Sequence, residues 1–265
     1  MGKMIKDALG HRMKTCYEQI FRHLLPKKTY TVIRLDGKAF NTYTRGCERP
    51  FDDGLIHDMD ETAKYIAKNV QGCKLGFVQS DEITLVLTDF DSIDCEAWFK
   101  GNIQKMVSVS ASMASAKFNQ LRIKRSLIAE YENSDYNNLN VLSDFVENHK
   151  LAVFDSRVFI IPQLHEVYNN LIWRQQDTIR NSVSSVAQAH FSAKELHKKS
   201  RVKQLEMLKS IGIDWEKDFS DKKKYGRLII KVENESGRKK WESVPAKKFV
   251  EDKSQIDFLA EIGKR

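Results

Sequence analysis

A pair of apolar runs joined by a short polar link most constrains how this 265-residue chain can fold. Phe77-Val78 leads into Ser80-Asp81-Glu82, and the apolar residues 83–87 follow. Two strands so closely joined must lie antiparallel and side by side. A two-residue turn usually contains Asn-Gly or Asp-Gly, because it requires positive φ angles. This turn has no glycine and two acids, so the sequence predicts a hairpin whose turn is acidic for another reason.

The elements around this hairpin predict the fold class. "TYTVIRLDGKAF" reads as a strand, and residues 56–70 carry the apolar spacing of a helix that leads into the hairpin. A second helix is predicted over residues 98–121, and another strand in "LAVFDSRVFIIP". The order strand, helix, strand, strand, helix, strand is that of the split βαβ, ferredoxin-like arrangement. We therefore expect an α+β fold with an antiparallel sheet.

The two ends of the chain are predicted to flank this core. Apolar residues from Met4 to Leu24 recur at helical spacing, and Pro26 closes that segment. Residues 163–212 look mostly helical, and "YGRLIIKV" reads as a late strand. The predicted organisation is a catalytic domain over residues 1–162, with an N-terminal helix, and a mostly helical basic region over residues 163–265.

The charge of the chain favours a polyanionic partner. The net charge is +8, and residues 194–265 hold 20 Lys and Arg against 13 Asp and Glu. A solvated lysine-rich surface is the alternative. The four scattered cysteines indicate neither a zinc site nor a disulfide framework. The sequence has no apolar run of about 20 residues and no signal-peptide pattern at its start, so we expect a cytoplasmic protein without membrane contact.

Two acids are predicted to meet at one end of the sheet. Asp36 ends the first strand, and Asp81 lies in the hairpin turn. The first and third strands of a ferredoxin-like sheet are neighbours, so both carboxylates can reach the same end. At about 4 Å they would repel by roughly 4 kcal/mol at an effective dielectric near 20. A shared divalent cation such as Mg²⁺ would relieve that repulsion; two unrelated turn acids are the alternative.

Several motifs together resemble those of a known family. "RLDGKAF" at 34–40 and "QSDE" at 79–82 are joined by "LGHRMK" at 9–14, "FDSRVF" at 154–159, "WRQQD" at 173–177 with Asn181, and "YGRLI" at 225–229. These motifs span nearly the whole chain. The chain resembles the tRNA-His guanylyltransferase family of 3′-to-5′ polymerases, and most of all its guanylyltransferase-like branch, which repairs the 5′ ends of tRNAs.

The resemblance implies a polymerase-palm-type catalytic domain with two Mg²⁺ ions. Asp36 and Asp81 would bind both metals, and the Gly37 carbonyl would complete the metal site. Glu82 would act as a supporting catalytic residue, because the period of a strand turns its side chain to the face opposite Asp81. The nucleotide triphosphate would be bound by Asp36, Gly37, Lys38, Ala39, Phe40, Asn41, Ser80 and Asp81.

The resemblance also implies the substrates and partners. ATP or GTP would activate the 5′ end of a tRNA, and nucleoside triphosphates would then be added to that end. Family members suggest a homotetramer, arranged as a dimer of dimers. The residues expected to contact RNA are Trp173, Arg174, Arg180, Asn181, Lys198 and Lys199. Burial of Trp173 in the core, and a solvated helix face for the two lysines, are the alternatives.

Two departures from the family pattern favour tRNA repair over identity marking. Residues 179–182, Ile-Arg-Asn-Ser, stand where the eukaryotic branch has His-Ile-Asn-Asn, and Asn41 stands where a histidine is common. Strict addition of one G to tRNA-His is the alternative within the family. A palm-type nucleotide cyclase or dinucleotide synthase and a non-catalytic RNA-binding protein are the alternatives from other classes.

Overall fold

A computed structural model describes residues 8–133, 147, 149–233 and 236–262. Its sheet contains β1 (Tyr30–Gly37), β2 (Cys73–Gln79), β3 (Glu82–Leu87), β4 (Phe154–Ile161), β5 (Arg227–Glu233) and β6 (Lys239–Pro245). The helices are α1 (Ala8–Met13), α2 (Phe40–Tyr43), α3 (Asp53–Asn69), α4 (Ile103–Asn133), α5 (Leu164–His190), α6 (Ala193–Leu196), α7 (Arg201–Ser210), α8 (Trp215–Asp218) and α9 (Asp221–Lys224).

The six strands form one antiparallel sheet in the order β4-β1-β3-β2-β5-β6. The first and third strands are neighbours, with Asp36 directly opposite Glu82. The β1–α3–β2–β3–α4–β4 succession confirms the predicted ferredoxin-like core. The predicted adjacency of β1 and β3 brings the end of β1 beside the hairpin turn.

Side chains alternate between two apolar layers because successive residues of a strand point to opposite faces. Ile33 and Leu35 of β1 are fully buried with Met59 of α3 and Phe118 of α4. Val32, one residue along, belongs instead to a layer that includes Leu171 of α5. Helices therefore cover both faces of the sheet, and the long helix α5 closes the face opposite α3 and α4.

The C-terminal region extends the same sheet. The predicted late strand is present as β5, which pairs with β2. Strand β6 was not predicted, because its charged sequence "KKWESVP" lacks a clear apolar alternation. Gln175 of α5 holds this region in place: its Nε2 donates to the carbonyls of Tyr225 and Lys247, and its Oε1 accepts from the Phe249 amide. The domain division at residue 162 stays a prediction.

The N-terminal segment is less regular than predicted. The single helix expected there is divided into α1, a π-helical turn over residues 14–18 and a 3₁₀ turn over residues 19–21. Its apolar side chains include Leu9, Tyr17, Ile20 and Phe21, all more than half exposed. Met4 and Ile5 lie outside the described residues. Among the helices the structure describes, none combines the length and apolarity needed to cross a bilayer.

Gly226, at the entry to β5, provides a test of this packing. Its φ is +86°, and an added Cβ would lie 2.8 Å from the Phe77 ring and 2.9 Å from the Val78 carbonyl oxygen. We expect Gly226→Ala to lower the free energy of unfolding by about 2–4 kcal/mol, from backbone strain plus overpacking. Urea denaturation measures the change. Gly46→Ala, where nothing lies within 4 Å, is the control, and equal effects of the two substitutions would contradict this account.

Candidate active site

The acidic turn of the β2–β3 hairpin holds a strained residue. β2 ends at Gln79 and β3 begins at Glu82, so Ser80 and Asp81 alone form the turn. Ser80 has a φ of +44°, a region that non-glycine residues seldom adopt. Such a conformation costs on the order of 1–3 kcal/mol and clusters at functional sites. The turn therefore has a positive φ at Ser80 although it contains no glycine. This turn places Asp81 at the end of the sheet.

Asp36 and Asp81 line one cavity of about 670 Å³, which we call the outer cavity. Gly37 links the two strands, because its amide donates to the Asp81 carbonyl oxygen over 3.2 Å. Among the described residues, neither carboxylate has an ion-pair partner, and no set of three or more His, Cys, Asp or Glu side chains converges as a metal cluster. The protein thus offers two carboxylates and one carbonyl at this place.

Burial perturbs one of these acids. It raises the pKa of Asp81 from the ordinary 3.8 to about 6, and the nearby charges of Asp36 and Glu82 add to the rise. Hydrogen bonds from its own amide and from Ser80 act in the opposite direction. A cation between the two carboxylates would lower the pKa of Asp81 again, because it favours the ionised form.

The loop after β1 is narrow and largely fixed. A Cβ on Gly37 would lie 2.2 Å from the Phe40 ring, so only glycine fits there. The Gly37 and Lys38 amides already donate within the chain, to the carbonyls of Asp81 and Val153. Ala39 has a φ of +53° and begins the short helix α2. Of the backbone amides in residues 36–41 that were predicted to bind phosphate, those of Ala39, Phe40 and Asn41 therefore remain as candidates.

The Phe40 side chain belongs to the core rather than to the cavity wall alone. It is 6% exposed, and its ring lies 5.5 Å from those of Phe118 and Phe154. This packing explains why the loop turns sharply after Gly37. The predicted contact of Phe40 with a nucleotide would therefore involve its backbone, and this contact stays a prediction.

A second cleft, of about 190 Å³, adjoins the outer cavity and is called the inner cleft here. The residues that line both spaces are Phe40, Asn41, Arg49, Ser80, Asp81, Asn181, Ser185 and Gln188. The residues that line only the inner cleft include Phe51, Leu55, Ile56, Gln79, Thr178, Ser182, Lys223 and Arg227. The outer cavity is thus mostly polar, whereas the inner cleft has an apolar wall.

Glu82 lines neither the outer cavity nor the inner cleft, and it shares a face of the sheet with Asp36, which lies directly opposite it; its predicted orientation away from Asp81 stays a prediction. Its carboxylate is buried and accepts two hydrogen bonds from Arg174, at 2.7 Å from Nε and 2.5 Å from an Nη atom. Arg174 is 7% exposed and also contacts Asp177 at 2.8 Å. Glu82 therefore anchors α5 to the sheet, and this burial does not support the predicted RNA contact of Arg174.

The other residues predicted to contact RNA fall into different surroundings. Trp173 is 47% exposed, which excludes the core alternative, and the guanidinium carbon of Arg34 lies 5.6 Å from its ring centroid. Arg180 is exposed and ion-paired with Asp177. Asn181 lines both the outer cavity and the inner cleft, beside Asp81.

The positions of Lys198 and Lys199 differ from the sequence prediction. They were expected on a helix, but they lie in the link between α6 and α7, where Lys198 has a φ of +57°. Both are exposed, and neither lines the outer cavity or the inner cleft. Their contact with RNA stays a prediction.

Sequence reasoning missed several residues that line these spaces. Arg49 lies between the outer cavity and the inner cleft, and Gln79 and Arg227 line the inner cleft. The polar residues of α5 that line the outer cavity could have been predicted from the sequence, because they recur at helical spacing. These residues are Asn181, Ser184, Ser185 and Gln188.

The raised pKa of Asp81 predicts how stability depends on pH. Because the folded pKa of about 6 exceeds the ordinary value, the contribution of this group is complete below about pH 4 and is lost as the pH rises through 6. We expect Asp81→Asn, which stays neutral, to be more stable than wild type by about 3 kcal/mol at pH 7 and nearly equal at pH 4. Urea unfolding in EDTA measures this. Asp257→Asn, at an exposed position, should show no such trend, and a constant difference at every pH would contradict the prediction.

The Glu82–Arg174 pair predicts an asymmetric response to mutation. Arg174→Met leaves a buried carboxylate without its cation and should lower the free energy of unfolding by about 3–5 kcal/mol. Glu82→Leu should cost less, because Arg174 keeps Asp177. The double substitution should cost clearly less than the sum of the single ones. Urea denaturation of all four proteins measures the coupling, and additive losses would show that the pair acts only through packing.

Comparisons with known proteins agree with this geometry. The profile of the family described as "Thg1: tRNAHis guanylyltransferase" matches residues 10–162, more than half of the chain. A bacterial tRNA(His) guanylyltransferase (Thg1)-like protein in complex with ATP is 36% identical, with a TM-score of 0.81, over 95% of this chain and 98% of that one. A bacterial tRNA(His) guanylyltransferase (Thg1)-like protein in complex with GTP is 35% identical, with a TM-score of 0.73, over 98% of this chain and 100% of that one.

A curated relative extends the comparison to fungi. The tRNA(His) guanylyltransferase of Debaryomyces hansenii is 25% identical over 162 residues, which make up 60% of this chain. The match spans 53% of the length of that protein, about half. The family profile and the bacterial structures, taken with the paired acids and the sheet that carries them, lead to one conclusion: this chain belongs to the tRNAHis guanylyltransferase family.

Proposed function

We propose that this protein is a Mg²⁺-dependent nucleotidyltransferase that adds nucleotides to the 5′ end of tRNA, in the 3′-to-5′ direction. The observation that carries the proposal is the pair Asp36 and Asp81, which line one cavity and have no ion-pair partner among the described residues. The inner cleft beside them offers apolar walls for a base. The bacterial relatives in complex with ATP and GTP support ATP, GTP and other nucleoside triphosphates as substrates.

The residues at the outer cavity fit Mg²⁺. Hard oxygen ligands suit this ion, which keeps several waters and shares substrate phosphates instead of requiring a full protein cage. Asp36 and Asp81 would hold two ions, with the Gly37 carbonyl as a further ligand. Bound in this way, the metal would stabilise charge on the attacking and leaving oxygens.

The residues of the chain itself would orient the substrates. The amides of Ala39, Phe40 and Asn41 would bind phosphate oxygens, because the first amides of a helix have no partner within it. Ser80 lies beside Asp81 in the wall of the outer cavity. Arg49 would add positive charge between the phosphates and the inner cleft. Glu82 would support the site indirectly, by fixing β3 and α5 through Arg174. Such positioning lowers the barrier without a covalent intermediate.

RNA contacts would come from α5 and the basic region over residues 163–265. The exposed Trp173 ring offers a surface on which an unpaired base can stack. Arg180 follows Trp173 along α5, and Asn181 reaches the cavities themselves; Lys198 and Lys199 would contact backbone phosphates. These side chains would lie along the tRNA acceptor end, with the 5′ terminus at the two acids.

Within the family, we favour template-dependent repair of 5′-truncated tRNAs over the strict addition of one G to tRNA-His. Asn41 and residues 179–182 depart from the pattern associated with strict addition. A nucleotide cyclase or dinucleotide synthase, or a non-catalytic RNA-binding protein, would be the alternatives outside the family's reaction. Two acids without counter-ions are unfavourable unless they bind something, which argues against the non-catalytic alternative.

We also propose that the protein is cytoplasmic and assembles as a homotetramer, a dimer of dimers. The exposed side chains of Leu9, Tyr17, Ile20 and Phe21 support self-association, because clustered apolar surface is rare on monomers. A light-scattering mass near that of one 30.7 kDa chain would contradict this assembly.

A 5′-extension assay tests the function. The purified protein would be combined with Mg²⁺, ATP, labelled nucleotides and a tRNA that lacks its first 5′ nucleotide. We expect addition that matches the template, reduced at least about 100-fold in Asp81→Ala, because a metal ligand is lost. Asp257→Ala, at an exposed acid outside both cavities, is the matched control and should keep wild-type activity.

Each alternative gives a different result in the same assay. Addition of a single G only to intact tRNA-His would favour the strict enzyme. Consumption of nucleotides without extension of any tRNA would favour a cyclase or dinucleotide synthase. Binding of tRNA without nucleotide turnover would favour the non-catalytic protein.

A further inference from the structure

One wall of the inner cleft is formed by residues 40–52, which we call the wall segment. It consists of the short helix α2, a 3₁₀ turn over residues 44–46 and an irregular stretch that ends at the start of α3. Asn41 and Arg49, which line both the inner cleft and the outer cavity, belong to it. The position of this segment therefore determines where these side chains can meet a ligand.

The two ends of the wall segment are fixed in different ways. At its start, the Phe40 side chain is buried in the core. At its end, the Asp52 carboxylate caps α3: its Oδ1 atom accepts from the Leu55 amide over 2.7 Å, and its Oδ2 atom accepts from the Glu48 amide over 3.2 Å. The middle of the segment, residues 43–47, lies between these two attachments.

Arg122 of α4 contacts this middle part of the wall segment. One of its terminal amino groups, Nη2, donates to the Cys47 Sγ atom over 4.0 Å. The Tyr43 hydroxyl also accepts a hydrogen bond from Arg122; burial raises the pKa of Tyr43, and the charge and hydrogen bond of Arg122 act in the opposite direction. The other amino group of Arg122 donates to Asp58 of α3 over 3.2 Å. Arg122 lines neither the outer cavity nor the inner cleft, so its effect on a ligand would pass through the wall segment.

A second arginine leaves Arg122 available for this contact. Asp58 is 1% exposed, and Arg125 donates to both of its carboxylate oxygens, over 3.0 and 2.7 Å. The single negative charge of Asp58 is therefore matched by Arg125 alone. Arg122 adds one hydrogen bond to the same carboxylate, and its Nε atom has no partner among the described residues. The two arginines thus share one acid, but Arg122 extends beyond it to the wall segment.

We propose that Arg122 is a positioning residue, which holds the wall segment where it can bind the nucleotide. This inference rests on the proposed nucleotidyltransferase function. The planar guanidinium group can bind acceptors on three elements at once, Asp58 of α3, Tyr43 of α2 and Cys47 beyond it, whereas a lysine ammonium is a point charge on a flexible stem. Without these contacts the middle of the segment would be held less firmly, and Asn41 and Arg49 would be less well placed. Small displacements of this kind, even when they arise far from the reacting atoms, weaken catalysis strongly.

Two matched variants separate positioning from stability. Arg122→Gln and Arg125→Gln each remove one cation from Asp58, so urea denaturation should show that both are less stable than wild type. The hydrogen bonds of Arg125 to described residues reach Asp58 and not the wall segment. Hydrogen exchange measured by mass spectrometry should therefore be at least about tenfold faster over residues 43–49 in Arg122→Gln, and within about twofold of wild type in Arg125→Gln.

Kinetic and binding measurements provide a readout that a loss of stability alone would not change. At a temperature where every variant is folded, the 5′-extension assay should show the KM for the added nucleotide raised about tenfold in Arg122→Gln and within about twofold of wild type in Arg125→Gln. Titration calorimetry with ATP and Mg²⁺ should show the same difference in Kd. Tyr43→Phe removes only the hydroxyl and should have a smaller effect in the same direction.

The outcomes distinguish this inference from the proposed function. Equal exchange rates over residues 43–49, or equal changes in KM and Kd, in the two arginine variants would overturn the inference, because Arg122 would then act through stability alone. Tenfold weaker ATP binding in Arg122→Gln, in a protein that extends no RNA, would support positioning and overturn only the proposed polymerase function. A wild-type protein that binds no nucleotide would overturn both.

Discussion

The buried ion pair between Glu82 and Arg174 determines the placement of everything around the acids. Glu82 is the first residue of β3, and Arg174 lies in the middle of α5, so their two short hydrogen bonds fix a strand end to a helix. A pair enclosed in this way is strongly directional, because the penalty for separating buried charges is large. Asp81, one residue before Glu82, is thereby held at the cavity, and the polar face of α5 that carries Asn181 is held above it. The proposed metal site, built from only two carboxylates, requires such external positioning.

Unfavourable features are concentrated at this one end of the sheet. Ser80 and Ala39 both adopt left-handed conformations without being glycine, and burial holds the pKa of Asp81 well above its usual range. Each feature costs folding free energy, and the surrounding core of fully buried side chains such as Leu35 and Ile83 offsets it. A bound cation would relieve the repulsion between the two carboxylates, so the acid pair that destabilises the protein alone favours the binding of that ion.

The core of the fold could be predicted from the sequence, because apolar periodicity and the short hairpin leave few topologies. Strand β6 was missed because its side chains are mostly polar, and the partner of Glu82 was missed because Arg174 lies 92 positions away. A positive φ at a single residue, such as that of Lys198, could not be predicted from secondary-structure propensities. Residues that meet only through tertiary contacts, such as Gln79 and Arg227, could not be paired without the structure.

The four consecutive residues of the β2–β3 turn have different structural roles. Gln79 reaches the inner cleft, Ser80 carries the strain of the turn, Asp81 lines both the cleft and the outer cavity, and Glu82 anchors α5. The four roles lie close together because the chain reverses direction within two residues, which puts Gln79 directly opposite Glu82. A glycine-containing turn would reverse the chain at less cost, but its flexibility would loosen the acid and its neighbours together. The strained turn therefore ties the inner cleft, the paired acids and the docking of α5 to one short segment.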